Sequence, residues 1–207
     1  VSYERFPDGE LMASVGDAAD ADRAVVVAAT TTDAAHVELL QLQDAVREAG
    51  VDEVVTVLPY MGYGRQERAF EDGQPVSARA MARAISTGTD RVVLVDPHEA
   101  SVTDFFDVPC TVVDAAAQLA DPLPADLTDP LFLSPDAGAI ALAESARDAY
   151  GRGDVDYFEK VRHSGTEVEI TPSDAAVEGR DVVVADDIVA TGSTMSESIG
   201  VLDDRGA

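Results

Sequence analysis

Two carboxylates stand directly before a short hydroxyl-rich segment near the end of the chain. Asp186 and Asp187 follow the apolar run 182–185. A few residues later come the small polar residues Thr191, Gly192, Ser193 and Thr194. The apolar run is rich in β-branched residues, so the pattern predicts a buried strand, an acidic pair, a loop and a helix. Backbone N–H groups at a helix start suit a phosphate, and paired carboxylates suit two vicinal hydroxyls of a sugar.

The predicted loop lies at the carboxyl end of a strand, where open α/β sheets bind their ligands. Acceptors for a diol followed by donors for a phosphate describe a cradle for ribose 5-phosphate. In the alternative interpretation, Asp186 and Asp187 form a solvated turn and residues 191–194 cap a helix. Spacing alone leaves both interpretations open.

A second candidate site is the glycine-containing segment 59–68, which follows another predicted strand. Arg65 and Arg68 lie in it, and they are two of only 14 basic residues in the chain. Two arginines in one loop suit a polyphosphate. Gly62 and Gly64 match only half of a dinucleotide fingerprint and are weak evidence. On chemistry alone, the favoured alternative is a pair of surface arginines that bridge to neighbouring acids.

Three further side chains at predicted strand ends could serve a metal-bound nucleotide or sugar. Asp96 and His98 follow the apolar run 92–95, and Asp136 follows a similar run at 131–133. Carboxylate oxygens are common ligands of hard cations, directly or through water. The alternative for Asp136 is a helix cap, and for His98 a structural hydrogen bond or simple exposure. The same structural or exposed role is expected for the other two histidines, His36 and His163.

The sequence contains a single lysine, Lys160, two residues before Arg162. Residues 157–170 alternate apolar and polar side chains around a polar centre with one glycine. This pattern predicts two strand arms joined by a mobile tip. Because the chain has kept a single lysine, and an arginine lies close to it, these two residues are candidates for a functional role. In the alternative interpretation, the lysine has no function and remains by chance on a flexible hairpin.

The charge balance excludes some classes of partner. The chain carries 40 acidic and 14 basic residues, for a net charge of −26, and the acids are spread along it. Nucleic acids and anionic membranes need a basic face, so direct binding to either is not expected. Distributed acidity with almost no lysine indicates adaptation to high salt, where screening makes self-repulsion tolerable.

The composition also indicates the compartment. No apolar run approaches the length of a membrane span and no signal peptide is visible, so a cytoplasmic protein is expected. The single cysteine, Cys110, excludes an internal disulfide and is expected to be a small buried apolar residue.

Alternating strand and helix patterns predict an α/β fold. The segment 25–58 contains two apolar strands joined by a helix that Gly50 ends, and such a βαβ unit predicts a parallel sheet. A change of composition at 115–130, rich in Ala, Asp, Pro and Leu, marks a domain boundary or a connecting helix. We therefore expect a first domain at residues 1–114 and a second at 115–207.

Together these motifs resemble one enzyme family, the ribose-phosphate pyrophosphokinases, or PRPP synthetases (PRPP is 5-phosphoribosyl 1-pyrophosphate). The similarity follows the chain in order: F-x-D-G-E at 6–10, P-Y-x-x-Y-x-R-Q-D-R at 59–68, D-L-H at 96–98, S-P-D at 134–136, K-x-R at 160–162 and the PRPP loop at 186–194. This chain departs from these family patterns at five positions. Glu67 replaces Asp, Pro97 replaces Leu, Ser101 and Thr103 replace common glutamines, and Ala190 replaces Asp or Ser.

The resemblance implies two tandem type I phosphoribosyltransferase-like domains, each a mainly parallel sheet flanked by helices. It implies that the 1-hydroxyl of ribose 5-phosphate attacks the β-phosphorus of ATP, giving PRPP and AMP. Mg²⁺ is the implied cofactor, and a homodimer or larger homo-oligomer the implied assembly. Family members carry further elements before Phe6 and after the PRPP loop, so the sequence is expected to be part of a longer chain.

The resemblance also implies a role for each motif. Lys160 and Arg162 would be the catalytic residues. His98 and Asp136 would serve the metal. The residues implied for ATP are Phe6, Asp8, Glu10, Arg65, Gln66 and Arg68. The residues implied for ribose 5-phosphate are Asp186, Asp187, Ala190, Thr191, Gly192, Ser193 and Thr194.

Two competing interpretations remain. A type I phosphoribosyltransferase consumes PRPP with the same loop, but it would not need residues 6–10 or the Arg65–Gln66 pair. A non-catalytic, PRPP-sensing subunit would be expected to lose the lysine and arginine of the hairpin, and both are present.

Overall fold

The computed structural model describes residues 1–16, 21–162, 168–171 and 176–207, with only the backbone of the strands at 159–162 and 168–171. The chain divides into two compact units, Val1–Val113 and Asp114–Ala207. Each unit has its own sheet and its own buried apolar cluster. No helix in the described ranges is long and apolar enough to span a membrane.

The first unit is built on a four-stranded parallel sheet in the order β3-β4-β5-β6. Its elements are β1 (Ser2–Arg5), β2 (Leu11–Ser14), β3 (Arg23–Val27), α1 (Asp33–Glu48), β4 (Glu53–Leu58), α2 (Ser77–Ser86), β5 (Arg91–Val95) and β6 (Cys110–Val113). Alternate residues of the central strand β4 are buried, namely Val54, Thr56 and Leu58. Thr56 Oγ1 accepts a hydrogen bond of 2.8 Å from Gln43 of α1, so this is the face that the helix covers.

Helix α1 forms where the sequence predicts it. Thr32 is its N-cap residue and accepts a hydrogen bond from the Ala35 N–H. The residues at helical spacing, Leu39, Leu42 and Val46, are buried. Gly50 has a φ of +91°, the left-handed conformation that ends many helices. The predicted strand–helix–strand unit and its parallel pairing are confirmed.

The first fourteen residues form an antiparallel hairpin, in which β1 and β2 flank the turn at residues 6–10. Gln41 of α1 holds β2, since its Oε1 accepts from the Ala13 N–H at 2.7 Å and its Nε2 donates to the Leu11 carbonyl at 2.8 Å. A helix side chain thus holds β2 where a further strand could pair. All residues of β1 are exposed, so its sequence lacks the apolar alternation that would predict a strand.

The second unit contains a three-stranded parallel sheet in the order β11-β7-β8. Its elements are β7 (Leu131–Ser134), α3 (Ile140–Tyr150), β8 (Asp154–Tyr157), β9 (Glu159–Arg162), β10 (Val168–Thr171), β11 (Val182–Val184) and α4 (Ser193–Asp204), with short 3₁₀ helices at Ala116–Ala120 and Ala137–Ala139. The segment 115–130 is therefore a 3₁₀ turn and irregular chain rather than a connecting α-helix. The predicted α/β class, with mainly parallel sheets and flanking helices, is confirmed.

Arg180 joins the amino ends of the three strands of this sheet. It lies shortly before β11, and its guanidinium donates to the Asp129 and Pro130 carbonyls at 2.8 and 3.2 Å, just before β7. It also donates to the Asp154 carboxylate at the start of β8, at 2.7 Å. The guanidinium is largely buried, and these contacts fix how the strands align, and hence where their carboxyl ends meet.

The predicted hairpin of the second unit is confirmed in its two arms. β9 and β10 pair antiparallel, with Lys160 opposite Ile170 and Arg162 opposite Val168. The predicted tip at 163–165, which includes His163, lies outside the described residues.

Candidate active site

The carboxyl ends of three adjacent strands bring the predicted residues of the second unit together. β7 is the central strand, with β11 on one side and β8 on the other. The Ala185 N–H donates to the Leu133 carbonyl at 2.9 Å, and the Phe158 N–H donates to the Ser134 carbonyl at 3.0 Å. Asp186 and Asp136 therefore leave the same edge of the sheet from neighbouring strands, and the hairpin leaves it on the other side of β7.

Asp186 lies in a crowded acidic environment. It is half-buried, and one of its oxygens accepts from the Asp187 N–H at 2.9 Å. Its pKa is raised to about 6, first by burial, then by the hydrogen bond and charge of the Asp187 side chain, and last by the charge of Asp136. Carboxylates that repel one another in this way are stabilised by hydroxyl donors or a cation between them.

Asp136 is a helix-cap residue, as the alternative interpretation of the sequence predicts. It can still act as a ligand. Its Oδ1 accepts from the Gly138 N–H at 2.9 Å and caps the 3₁₀ helix at Ala137–Ala139. Its charge nevertheless raises the pKa of Asp186, which places the two carboxylates within electrostatic reach.

The hydroxyl-rich loop leads into the amino end of α4, as predicted. Gly192 has a φ of +77° and is the N-cap residue, so no side chain caps this helix within the described residues. Thr191 Oγ1 and Ser193 Oγ lie 2.9 Å apart, and the Ser193 N–H reaches Thr191 Oγ1 only at 3.4 Å. Thr191 and Ser193 are exposed. The helix start therefore presents N–H groups and hydroxyls to the outside, as an anion site requires.

The catalytic pair predicted at Lys160 and Arg162 lies on β9. This strand begins directly after Phe158, which is fully buried in the core of the second unit. The arm is thus anchored beside the end of β7. The side chains of Lys160 and Arg162 lie outside what the structure describes.

In the first unit, the segment 59–68 is the first part of the connection between β4 and α2, and it is fixed to the start of that helix. The Gln66 carbonyl accepts from the Ala78 N–H at 3.2 Å. Gln66 Oε1 accepts from Ser77 Oγ at 2.5 Å. Ser77 is therefore a supporting residue that the sequence motifs do not predict. Its only local signal is a hydroxyl in the first turn of a helix.

The two arginines of this segment differ. Arg68 lies 3.4 Å from the Glu67 carboxylate and stacks over the Phe70 ring at 5.2 Å, which fits the alternative of a surface ion pair. Arg65 is exposed and makes no ion pair or hydrogen bond with any residue in the described part of the chain. In a chain of net charge −26, an arginine without an acidic partner fits an anionic ligand.

Of the remaining predicted residues of the first unit, Asp96 is half-buried and the others are exposed. Asp96 follows β5 with a φ of +39°, an uncommon conformation for a non-glycine residue, and His98 is exposed. Phe6 is 45% exposed at the turn of the β1–β2 hairpin, so it is not a core residue. In that turn the Glu10 N–H donates to Asp8 Oδ1 at 3.1 Å.

The carboxylates described above suit an Mg²⁺ ion that is bound partly by the substrates, rather than a metal ion that is held by protein side chains alone. Among the described residues, no group of three or more His, Cys, Asp and Glu side chains could hold a metal ion. Mg²⁺ usually takes one or two carboxylates and completes its shell with water and substrate phosphates. The acidic cluster around Asp186, with its raised pKa, suits that mode.

One smaller expectation is only partly met, and another is wrong. Cys110 is half-buried and packs against the core of the first unit, and burial raises the pKa of its thiol to about 11. His36 was expected to be exposed or hydrogen-bonded. It is buried instead, and its Nε2 has no hydrogen-bond partner in the described ranges.

Comparison with known proteins gives a consistent result. The family model for the N-terminal domain of ribose phosphate pyrophosphokinase matches residues 1–88. A ribose-phosphate pyrophosphokinase of Halobacterium salinarum is 66% identical over 204 residues, which cover 99% of this chain and 73% of that protein. The enzyme of the same name from Methanopyrus kandleri is 42% identical over 210 residues, covering 100% of this chain and 72% of that protein.

A solved structure agrees with these sequence relatives. The crystal structure of phosphoribosylpyrophosphate synthetase from Mycobacterium smegmatis superposes with a TM-score of 0.81 and 26% identity, covering 100% of this chain and 68% of that one. The names of these proteins agree with the family predicted from the motifs and favour neither of the two alternatives.

Proposed function

The chain belongs to the ribose-phosphate pyrophosphokinase family, and from that premise we propose how its residues carry out the reaction. The protein transfers the diphosphoryl group of ATP to the 1-hydroxyl of ribose 5-phosphate, giving PRPP and AMP. The observation that carries this function is the 66% identity to a ribose-phosphate pyrophosphokinase over 99% of the chain. Such a transfer depends on positioning and charge neutralisation more than on covalent chemistry.

Ribose 5-phosphate is bound at the edge of the β11-β7-β8 sheet. Asp186 and Asp187 accept hydrogen bonds from the two ribose hydroxyls, and with a pKa of about 6 Asp186 is largely ionised at neutral pH. The N–H groups of residues 191–194 at the start of α4 hold the 5-phosphate. Ala190 offers no side-chain contact there, so the backbone and the hydroxyls provide the donors.

Lys160 and Arg162 neutralise the charge that develops on the transferring diphosphoryl group. They lie two positions apart on a strand that begins beside the end of β7, at the same edge of the sheet as the proposed ribose site but on the other side of β7. Fixed cations close to a developing negative charge stabilise the transition state, because they need no reorganisation when the reaction occurs.

The nucleotide is bound by residues of the first unit. Arg65 has no partner among the described residues of that unit and pairs with the phosphates, while Gln66 is held in place by Ser77. Arg68 contributes a second positive charge. Asp8 and Glu10 on the exposed hairpin accept from the adenine amino group, and Phe6 covers the base.

His98 in the first unit and Asp136 in the second are each proposed to contact Mg²⁺, directly or through water. His98 and Asp136 would hold the ion, which would supply positive charge that offsets the negative charge of the phosphates. We propose a cytoplasmic location, in keeping with the substrates.

A homo-oligomer is proposed because Phe6 is exposed on a hairpin tip, where it can reach a neighbouring chain. In the resembled family this segment enters a neighbour's nucleotide site. Phe6→Ala and Lys160→Ala should each be inactive alone. Mixed oligomers should regain part of the activity if the site is shared, and no activity if each chain builds its own site.

Phosphorus NMR tests the reaction. The full-length protein, incubated with ATP, ribose 5-phosphate and Mg²⁺ in molar KCl, should form AMP and PRPP in equal amounts. No ADP or inorganic phosphate should accumulate with them. Release of ADP, or turnover without ribose 5-phosphate, would contradict the proposed function.

A further inference from the structure

The loop that carries Arg65 and Gln66 is locked at its start against the β3–α1 connection. Thr30, which is 1% exposed, donates from its N–H to the Tyr60 carbonyl at 3.0 Å. Its Oγ1 accepts from the Gly62 N–H at 2.8 Å. A Cβ at Gly62 would lie 2.1 Å from the Thr30 carbonyl oxygen, so only glycine allows this approach.

The next residue, Tyr63, is held by two side chains of α1. Its hydroxyl donates to Asp33 Oδ1 in the first turn of the helix. Its ring lies 5.5 Å from the His36 ring, tilted by 48°. The hydrogen bond to Asp33, and then the charge of its carboxylate, raise the pKa of Tyr63, so the hydroxyl stays protonated.

His36 serves here as a packing surface rather than a hydrogen-bonding group. It is 6% exposed, and its Nε2 would lie only 2.9 Å from a Cβ at Gly62. Burial lowers its pKa, although the charge of Asp33 works in the opposite direction. The ring is therefore neutral at pH 7 and can pack against both Gly62 and Tyr63.

Tyr63 adopts a backbone conformation that is unfavourable for a residue with a side chain. Its φ is +62°, in the left-handed region that non-glycine residues rarely occupy. Such a conformation persists only where surrounding contacts impose it. The Tyr63 carbonyl accepts from the Gln66 N–H at 3.0 Å, and the Gln66 carbonyl accepts from Ala78. The strained residue thus lies at the start of a chain of hydrogen bonds that leads through Gln66 to α2.

We propose that Asp33 and His36, acting through Tyr63, are positioning residues that hold the 59–68 loop in its nucleotide-binding conformation. This inference rests on the proposed function, because it assumes that Arg65 and Gln66 bind ATP. Tyr63 itself is 43% exposed, so its hydroxyl bond contributes little to the core. Its effect should appear in the affinity for ATP rather than in global stability.

Titration calorimetry on the full-length protein tests the proposal. Tyr63→Phe and Asp33→Ala should each weaken ATP binding by about two- to tenfold, the net value of one typical hydrogen bond. The double variant should be no weaker than the single ones, because both remove the same bond. Asp33→Asn keeps an oxygen that can accept from Tyr63, and it should bind ATP nearly as the parent does.

Two controls separate positioning from general destabilisation. The affinity for ribose 5-phosphate should be unchanged in every variant. Tyr150→Phe loses a hydroxyl bond of 2.6 Å to the Pro124 carbonyl in the other unit, and it should lower the melting temperature without weakening ATP binding. If both Tyr63→Phe and Asp33→Ala bound ATP as tightly as the parent, this inference would be overturned and the proposed function would be unaffected. A parent protein that binds no ATP would overturn the proposed function and the inference together.

Discussion

Gln66 Oε1 accepts a hydrogen bond of 2.5 Å from Ser77 Oγ, which links the proposed nucleotide loop to the first turn of α2. The bond sets the orientation of the Gln66 amide. The backbone bond from Ala78 to the Gln66 carbonyl holds the same residue from its other side. A helix of the first unit therefore determines how a proposed ATP-binding side chain is presented.

Ser77→Ala should raise the KM for ATP several-fold, in line with the loss of one hydrogen bond, and leave the KM for ribose 5-phosphate unchanged. Ser77→Thr keeps the hydroxyl and is the matched control. Steady-state kinetics with each substrate varied in turn would show the difference. An unchanged KM for ATP in the alanine variant would contradict the supporting role of Ser77.

Arg65→Gln should raise the KM for ATP by about tenfold or more, because a charge-assisted contact to phosphate is lost. Arg83→Gln is the control. Arg83 lies exposed on α2, likewise without a bonded partner in the described residues, and the change in net charge is the same. Equal effects of the two substitutions would show that overall charge, rather than Arg65, governs nucleotide binding.

Lys160→Ala should lower kcat by about a hundredfold or more, since one fixed transition-state contact is lost. Binding of ribose 5-phosphate, followed by calorimetry, should be largely retained because its proposed site is on β11 and α4. A kcat near that of the parent would refute the catalytic role of this lysine.

The raised pKa of Asp186 makes a prediction about stability. Its carboxyl has a pKa of about 6 in the folded chain, against an ordinary value of 3.8. The folded state therefore binds the proton more tightly, and the free energy of unfolding falls as the pH rises through this range. Asp186→Asn mimics the protonated form, so it should melt a few degrees above the parent at pH 7. The two should melt equally only below about pH 3, where the Asp186 carboxyl is protonated in both the folded and the unfolded chain.

Asp126→Asn is the control for the previous prediction. It removes the same charge from an exposed position in the second unit. Its melting temperature should follow that of the parent at every pH. If Asp186→Asn did not melt above the parent at pH 7, the raised pKa of Asp186 in the acidic cluster would be disproved.

The net charge of −26 should make stability depend on salt. At low ionic strength the like charges of the compact chain repel one another, and molar salt reduces the screening length to about 3 Å. The melting temperature should rise steadily from 0.05 to about 2 M KCl, whereas sucrose of equal osmolality should have a smaller effect. Indifference to KCl would refute salt adaptation.

The sequence by itself determined the features that depend on neighbours along the chain. The apolar spacing of Leu39, Leu42 and Val46 was sufficient to predict α1, and the apolar run 54–58 was sufficient for β4. The order of the motifs was sufficient for the family, because each motif is contiguous. The sequence also placed the motifs at strand ends, since a parallel sheet brings the carboxyl ends of its strands to one edge.

The tertiary structure decided what depends on contacts between distant segments. The strands of the first hairpin are short, and β1 is exposed throughout, so they carry no periodic signal. Gln41, from a helix, holds β2 in place. The pKa of Asp186 depends partly on Asp136, which reaches it through the pairing of β11 with β7. Arg65 and Arg68 look equivalent in the sequence, but among the described residues only Arg68 has a nearby acid and an aromatic ring at contact distance. These differences arise because burial, charge and hydrogen bonding act through space, and the folded chain alone determines which groups meet.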